Sequence, residues 1–237
     1  MKGVILAGGM GTRLRPLTLV TNKHLLPVYN KPMVLYPLET LKRSGITDIM
    51  LVSGREHAGD FMNFLGSGAQ YGVKLSYAIQ ETNNGGIADA LRCAEDFAEG
   101  GPVAVVLGDN IFIEDFSKAV KAFTDGACIF LKEVKDPQRY GVPVFDKKGR
   151  IVRVEEKPTK PKSSFAQVGF YLVDADIFKR VRTLKPSRRG ELEMTDAINT
   201  YVSEKNISHY LLKKAWYDAG TLDSLIDAAC HIRKHCA

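Results

Sequence analysis

Two near-continuous apolar runs stand out along the chain, Val4-Ile5-Leu6-Ala7 and Val103-Ala104-Val105-Val106-Leu107. Runs without polar alternation belong to parallel strands covered on both faces. Residues 3–7 are therefore expected to form a buried first strand, and 103–107 a central one. Between them, 48–53 and 73–79 read as further strands, and 33–43, 57–65 and 86–97 as helices. Ile87, Ala90, Leu91 and Ala94 recur at helical spacing, and Ser44-Gly45 is a helix-stop signal. Strands alternating with helices imply parallel pairing through right-handed crossovers.

The pattern changes after residue 125. Short strands are expected at 128–134, 142–145, 151–155 and 168–173, helices at 175–184 and 194–204, a strand at 207–212, and a closing amphipathic helix at 221–234. There is no internal repeat, low-complexity tract or long linker. The expected architecture is one α/β domain over residues 1–237. Its mixed, mostly parallel, Rossmann-like sheet is flanked by helices, with a first half at 1–125 and a more strand-rich half at 126–237.

Composition narrows the function classes. The chain has 237 residues, 45% hydrophobic and 25% charged, enough for one sizeable core. Its net charge of +6 arises from 33 basic against 27 acidic residues. That mild excess suits anionic small molecules. No dense basic run is interleaved with aromatics and no zinc-finger spacing occurs, so no nucleic-acid partner is expected. Cys93, Cys128, Cys230 and Cys236 form no C-x-x-C pair, which fits a reduced, cytoplasmic setting. The first apolar run is too short for a signal segment, and nothing later approaches a membrane span.

The chemistry begins at Leu6-Ala7-Gly8-Gly9-Met10-Gly11-Thr12-Arg13-Leu14-Arg15-Pro16. Glycines after a buried strand let backbone N–H groups approach a phosphate. A Walker loop needs Gly-Lys-Ser/Thr, which is absent. A dinucleotide fingerprint needs a small residue where Leu14 stands. A phosphate-gripping loop carrying Arg13 and Arg15, with Lys23 beyond it, remains, beside the plainer reading of a surface turn with solvated charges. Asp109, in Leu107-Gly108-Asp109-Asn110, follows the C-terminal end of a buried strand, where open α/β sheets bind ligands; it serves equally as a turn or helix cap. Asp218, in Trp216-Tyr217-Asp218-Ala219-Gly220-Thr221, lies past a strand and before a helix, with the same two readings. Glu155-Glu156-Lys157-Pro158 reads from composition as a solvated strand end.

These segments together are similar to those of a known family. Residues 8–18 and 22–33, with Asn22-Lys23-His24-Leu25-Leu26-Pro27 at the start of the second, resemble the signature of sugar-nucleotide pyrophosphorylases, within them most nearly the glucose-1-phosphate thymidylyltransferases. The motif is long and irregularly spaced, and the resemblance spans nearly the whole chain. It implies the nucleotide-diphospho-sugar transferase type of fold, with a nucleoside triphosphate and a sugar 1-phosphate as partners. The first half would hold mainly the nucleotide and the second the sugar phosphate. Leu6, Gly8, Gly9, Gly11 and Thr12 become candidate nucleotide contacts. Gln80 and Gly86 would meet the base, although the stretch between them, Glu81 to Gly85, is longer than the family pattern and lacks its proline. Arg13, Lys23 and Lys157 become the catalytic candidates. Asp109 and Asp218 become ligands of Mg²⁺, because two carboxylates can hold that ion between the oxygens of both substrates. Asn110, Gly141, Glu156, Val168 and Glu193 become sugar contacts, and Thr195 reads as structural at a helix start. Longer relatives carry further helices after the W-x-D-x-G-T segment. The expectation here is a short form whose feedback regulation is in doubt and whose state, monomer or homo-oligomer, stays open.

Overall fold

The computed structural model describes residues 1–82 and 85–235; Asn83, Asn84 and Cys236, drawn into the sequence reading, lie outside them. In the first half the chain forms β1 (Lys2–Ala7), a small ribbon of β2 (Pro27–Val28) and β3 (Lys31–Pro32), α1 (Leu35–Arg43), β4 (Asp48–Gly54), α2 (Ala58–Leu65), β5 (Lys74–Gln80), α3 (Ile87–Arg92), α4 (Glu95–Ala98), β6 (Val103–Leu107), β7 (Asn110–Phe112) and α5 (Ser117–Ala122). The second half adds β8 (Ala127–Glu133), β9 (Gly141–Phe145), β10 (Ile151–Glu156), β11 (Phe165–Val173), α6 (Asp176–Thr183), α7 (Met194–Ser203), β12 (Ile207–Leu211), β13 (Trp216–Asp218) and α8 (Leu222–His235).

The main sheet has nine strands, and its spine runs β10-β9-β11-β6-β1-β4-β5, with β8 between β11 and β12. The pairs β1–β4, β1–β6 and β4–β5 are parallel, as the alternation of strands and helices requires. β11 then runs antiparallel to β6, β8 and β9, so the sheet is mixed.

The apolar runs are explained by two-sided burial. Val4, Leu6, Val103 and Val105 face one core, which is closed by α3, α6 and α7. Ile5, Ala7, Ala104 and Val106 face the other, closed by α1, α2 and α5. A third cluster joins Leu14 to Leu225, Ala228 and Ile232 of α8. The closing helix thus buttresses the glycine-rich loop rather than the sheet.

Some boundaries depart from the sequence pattern. The helix expected at 86–97 is divided, because Cys93 and Ala94 N–H groups bond back three residues, to Ala90 and Leu91 (3.2 and 3.0 Å), and tighten the turn. The helix expected from residue 33 starts at Leu35, since the Met33 and Val34 N–H groups are committed to Leu26 and His24 carbonyls. Among the described residues no helix is long and apolar enough to cross a membrane.

Candidate active site

At the C-terminal ends of β1, β5 and β6 the sheet opens into a cavity of about 340 Å³. The glycine-rich loop forms one wall. Leu14 is fully buried in the third cluster, and this anchor turns Arg13 toward the cavity. Gly8 and Gly9 line the wall as well. Gly11 and Thr12, expected to touch nucleotide, do not line it. Gly11 instead has a φ of +63°, and a Cβ there would meet Thr18 and Lys23 at 2.8 and 2.9 Å. It is a glycine for backbone and packing reasons.

Asp109 and Asp218, far apart in sequence, are brought together by a short antiparallel ribbon. β7 pairs with β13 so that Asp218 faces Asn110, and the Ala219 N–H donates to the Asp109 carbonyl at 2.9 Å. Asp218 therefore ends a strand, rather than lying just past one. A side chain at Gly220 would sit 2.9 Å from Asp218 Oδ1, 3.0 Å from Arg13 Nη2 and 3.4 Å from Asp109 Oδ2. A side chain there would displace the ends of Asp218 and Arg13.

Lys23 Nζ donates to Asp109 Oδ2 at 2.5 Å. Burial alone would raise the Asp109 carboxyl; the Lys23 charge and hydrogen bonds from Lys23 and Asn110 override it and hold it below the ordinary carboxylate range. Asp218 moves the other way: burial and then the Asp109 charge push it up. Asn110 knits the site together. Its Nδ2 donates to Asp109 at 3.0 Å, and its Oδ1 accepts from Gly169 N–H and Trp216 Nε1 at 3.0 and 2.7 Å. His24, not anticipated as a site residue, is buried under this constellation. Burial, then the Lys23 charge, lowers it to about 3, so it is neutral at pH 7. Its ring occupies the space where a Cβ on Gly108 would fall.

The base end lies at the tip of β5. Gln80 Nε2 donates to Gly86 O at 3.2 Å and to Asp89 Oδ2 at 2.8 Å. Two acceptors at one end of the amide fix its NH₂ there, so Oε1 points the other way, against Gly8. Leu6, Ile87, Ala90 and Leu107 add apolar surface.

At the opposite end stand Gly141, Glu156, Lys157 and Glu193. Lys157 adopts a φ of +42°, stabilised by its N–H to the Tyr140 carbonyl at 3.0 Å. A lysine in this region is strained, and strain of this kind concentrates at functional sites. Thr195 Oγ1 donates to Glu156 Oε2 at 2.5 Å, which gives Thr195 a place in the site beyond starting α7. Burial raises the Glu193 carboxyl, against a hydrogen bond from Ser187 at 2.8 Å. Val168 corrects an expectation: its side chain is fully buried in the second core. Strand alternation puts Gln167, Gly169 and Tyr171 on the cavity side instead. Arg139, Tyr140, Gln167 and Trp216 line the cavity without having been anticipated. The Tyr140 and Trp216 rings meet edge-on at 5.3 Å, a contact between distant segments with no local signal.

The sequence profile described as nucleotidyl transferase matches residues 2–235. A glucose-1-phosphate thymidylyltransferase of Actinoplanes sp. is 44% identical over 98% of this chain and 78% of its own length. One from Neisseria gonorrhoeae is 43% identical over 98% and 83%. Among solved structures, a Bacillus anthracis protein provisionally named glucose-1-phosphate thymidylyltransferase, in complex with a sucrose, superposes with a TM-score of 0.93 at 47% identity, covering 98% of this chain and 95% of that one. A UDP-glucose pyrophosphorylase complexed with UDP-glucose superposes at 0.85 with 26% identity, covering 98% of both chains. With a fold, a cavity and a full-length match in agreement, this chain belongs to the nucleotidyl transferase family.

Proposed function

We propose that the protein transfers a thymidylyl group from dTTP to glucose 1-phosphate, forming a nucleotide sugar and releasing pyrophosphate. The observation that carries this reading is the convergence of Arg13, Lys23, Asp109 and Asp218 in one cavity whose far end holds Lys157 and Glu156. Relatives bearing that activity in their names match nearly the whole chain.

A sugar-phosphate oxygen attacks the α-phosphorus. A new P–O bond forms as the bond to the β-phosphate oxygen breaks, and the electron pair leaves with pyrophosphate. The nucleophile is already ionised, so catalysis is positioning and charge neutralisation. Arg13 grips the departing phosphates, Lys23 neutralises the nucleotide phosphates, and Lys157 aims the sugar phosphate. The Gly8 and Gly9 backbone closes on the phosphates.

Asp109 and Asp218 fit a hard divalent cation. They offer oxygen donors from the end of β13 and from the turn just before β7, and burial, then the Asp109 charge, raises the Asp218 carboxyl. Among the described residues no cluster of three or more His, Cys, Asp or Glu could hold a metal, so a cation held by these two carboxylates would draw its other donors from outside that residue set. Held by Asp109 and Asp218, Mg²⁺ would supply positive charge to neutralise the substrate phosphates.

The Gln80 orientation bears on the base. An outward Oε1 accepts the imide N3–H that thymine and uracil share and cytosine lacks. UTP is therefore the second reading. Pyrophosphate release should be measured with dTTP, UTP, CTP and GTP against glucose 1-phosphate, with and without Mg²⁺. The expected order is dTTP first, UTP second and CTP poorly used, all dependent on Mg²⁺. Absence of release from every pair overturns the proposal.

A further inference from the structure

The sugar end of the cavity contains a buried polar atom without a partner. Gln167 lies on β11 opposite Gly141 in the β9 register, and its side chain borders the cavity while only 6% exposed. Its side chain lies beside the buried Tyr171 hydroxyl. Its Oε1 has no hydrogen-bond partner among the described residues. Buried carbonyl oxygens almost always have a donor, and one left bare is a cost to the ligand-free fold.

The other two bare atoms, Asp48 Oδ1 and Arg180 Nε, belong to side chains outside the cavity whose remaining atoms are in ion pairs. Gln167 is different, because it stands among groups suited to a polyol. The Cβ that Gly141 lacks would fall 3.5 Å from Gln167 Cβ and 3.2 Å from Thr195 Oγ1. A side chain at 141 would press against both, so glycine there keeps this corner of the cavity uncrowded. Thr195 has already committed its proton to Glu156. No neighbour among the described residues offers Oε1 a donor, whereas a sugar hydroxyl would.

We propose that Gln167 is a sugar-specificity residue: its Oε1 accepts a hydrogen bond from one ring hydroxyl of the hexose 1-phosphate. This rests on the sugar 1-phosphate reading given above. A neutral amide adds selectivity without adding charge near Glu156 and the substrate phosphate. A buried acceptor left bare by an analogue lacking that hydroxyl penalises the analogue.

The test compares kcat/KM for the wild-type protein and Gln167→Leu, with dTTP and Mg²⁺, on glucose 1-phosphate and its 2-, 3-, 4- and 6-deoxy analogues. Wild type should lose about tenfold or more on one analogue. Gln167→Leu should show a similar loss on glucose 1-phosphate, no further loss on that analogue, and an unchanged KM for dTTP. Gln167→Met is the second variant, since its flexible side chain fills the same space. Variants that keep the full wild-type pattern across the analogues overturn the inference. So does a wild-type protein indifferent to every deoxy position, a measurement that needs no variant to fold. A wild-type protein that releases no pyrophosphate at all overturns the underlying reaction and the inference with it.

Discussion

Lys23 Nζ lies 2.5 Å from Asp109 Oδ2, and both side chains are largely shielded from water. The pair keeps Asp109 ionised before any substrate arrives. Removing one partner of a buried pair leaves the other charge uncompensated. Lys23→Met should therefore cost about 3 kcal/mol in urea unfolding, in addition to lowering turnover. A variant as stable as wild type would show that Asp109 finds another partner.

Asp218 carries the opposite consequence. Burial and the Asp109 charge raise its carboxyl, so keeping it ionised at neutral pH opposes folding. Asp218→Asn should melt at a higher temperature than wild type without Mg²⁺, yet lose turnover by orders of magnitude. Stability given up at a charged site in exchange for function is a common trade. A lower melting temperature in the absence of Mg²⁺ would contradict it.

His24 predicts a pH dependence. Burial and the Lys23 charge lower it from 6.5 to about 3, so the fold excludes its protonated form while the unfolded chain accepts the proton. Stability is then present above about 6.5 and lost as pH falls below it, at about 1.4 kcal/mol per pH unit. Urea unfolding between pH 6.5 and 5, above the usual carboxylate range, should show this slope. His24→Gln should flatten it.

Lys157 holds a left-handed backbone conformation at φ +42°. Glycine accepts that conformation without the steric cost. Lys157→Gly should thus match or exceed wild-type stability by about 1 kcal/mol while cutting kcat/KM for the sugar phosphate about 100-fold. Thermal unfolding and steady-state kinetics on the same preparation separate the two effects. A clearly less stable variant would mean that the lysine side chain, not its backbone, dominates locally.

Much of this was legible beforehand because it is local. The runs at β1 and β6 reveal two-sided burial directly, since each residue must face one core or the other. The glycine-rich loop, Asp109 and Lys157 sit in contiguous motifs, but their residues alone also read as a turn, a cap and a solvated strand end, and the resemblance to a family chose between the readings. Other features were hidden because they depend on register. Nothing in Trp216-Tyr217-Asp218 shows that it pairs with β7, and only that pairing sets Asp218 beside Asp109. Val168 was the expected contact and Gln167 was not, yet strand parity buries Val168 in the core and turns Gln167 to the cavity.

By itself, the sequence determined the α/β architecture, the position of the glycine-rich loop and the identity of the charged groups, because periodicity and residue chemistry are properties of short segments. Only the tertiary structure decided which of those groups meet. It joined Lys23 to Asp109, oriented Gln80 through Asp89, and left Gln167 Oε1 without a donor among the described residues. These outcomes arise from contacts between residues far apart in the chain, and it is packing, not local pattern, that brings such residues together.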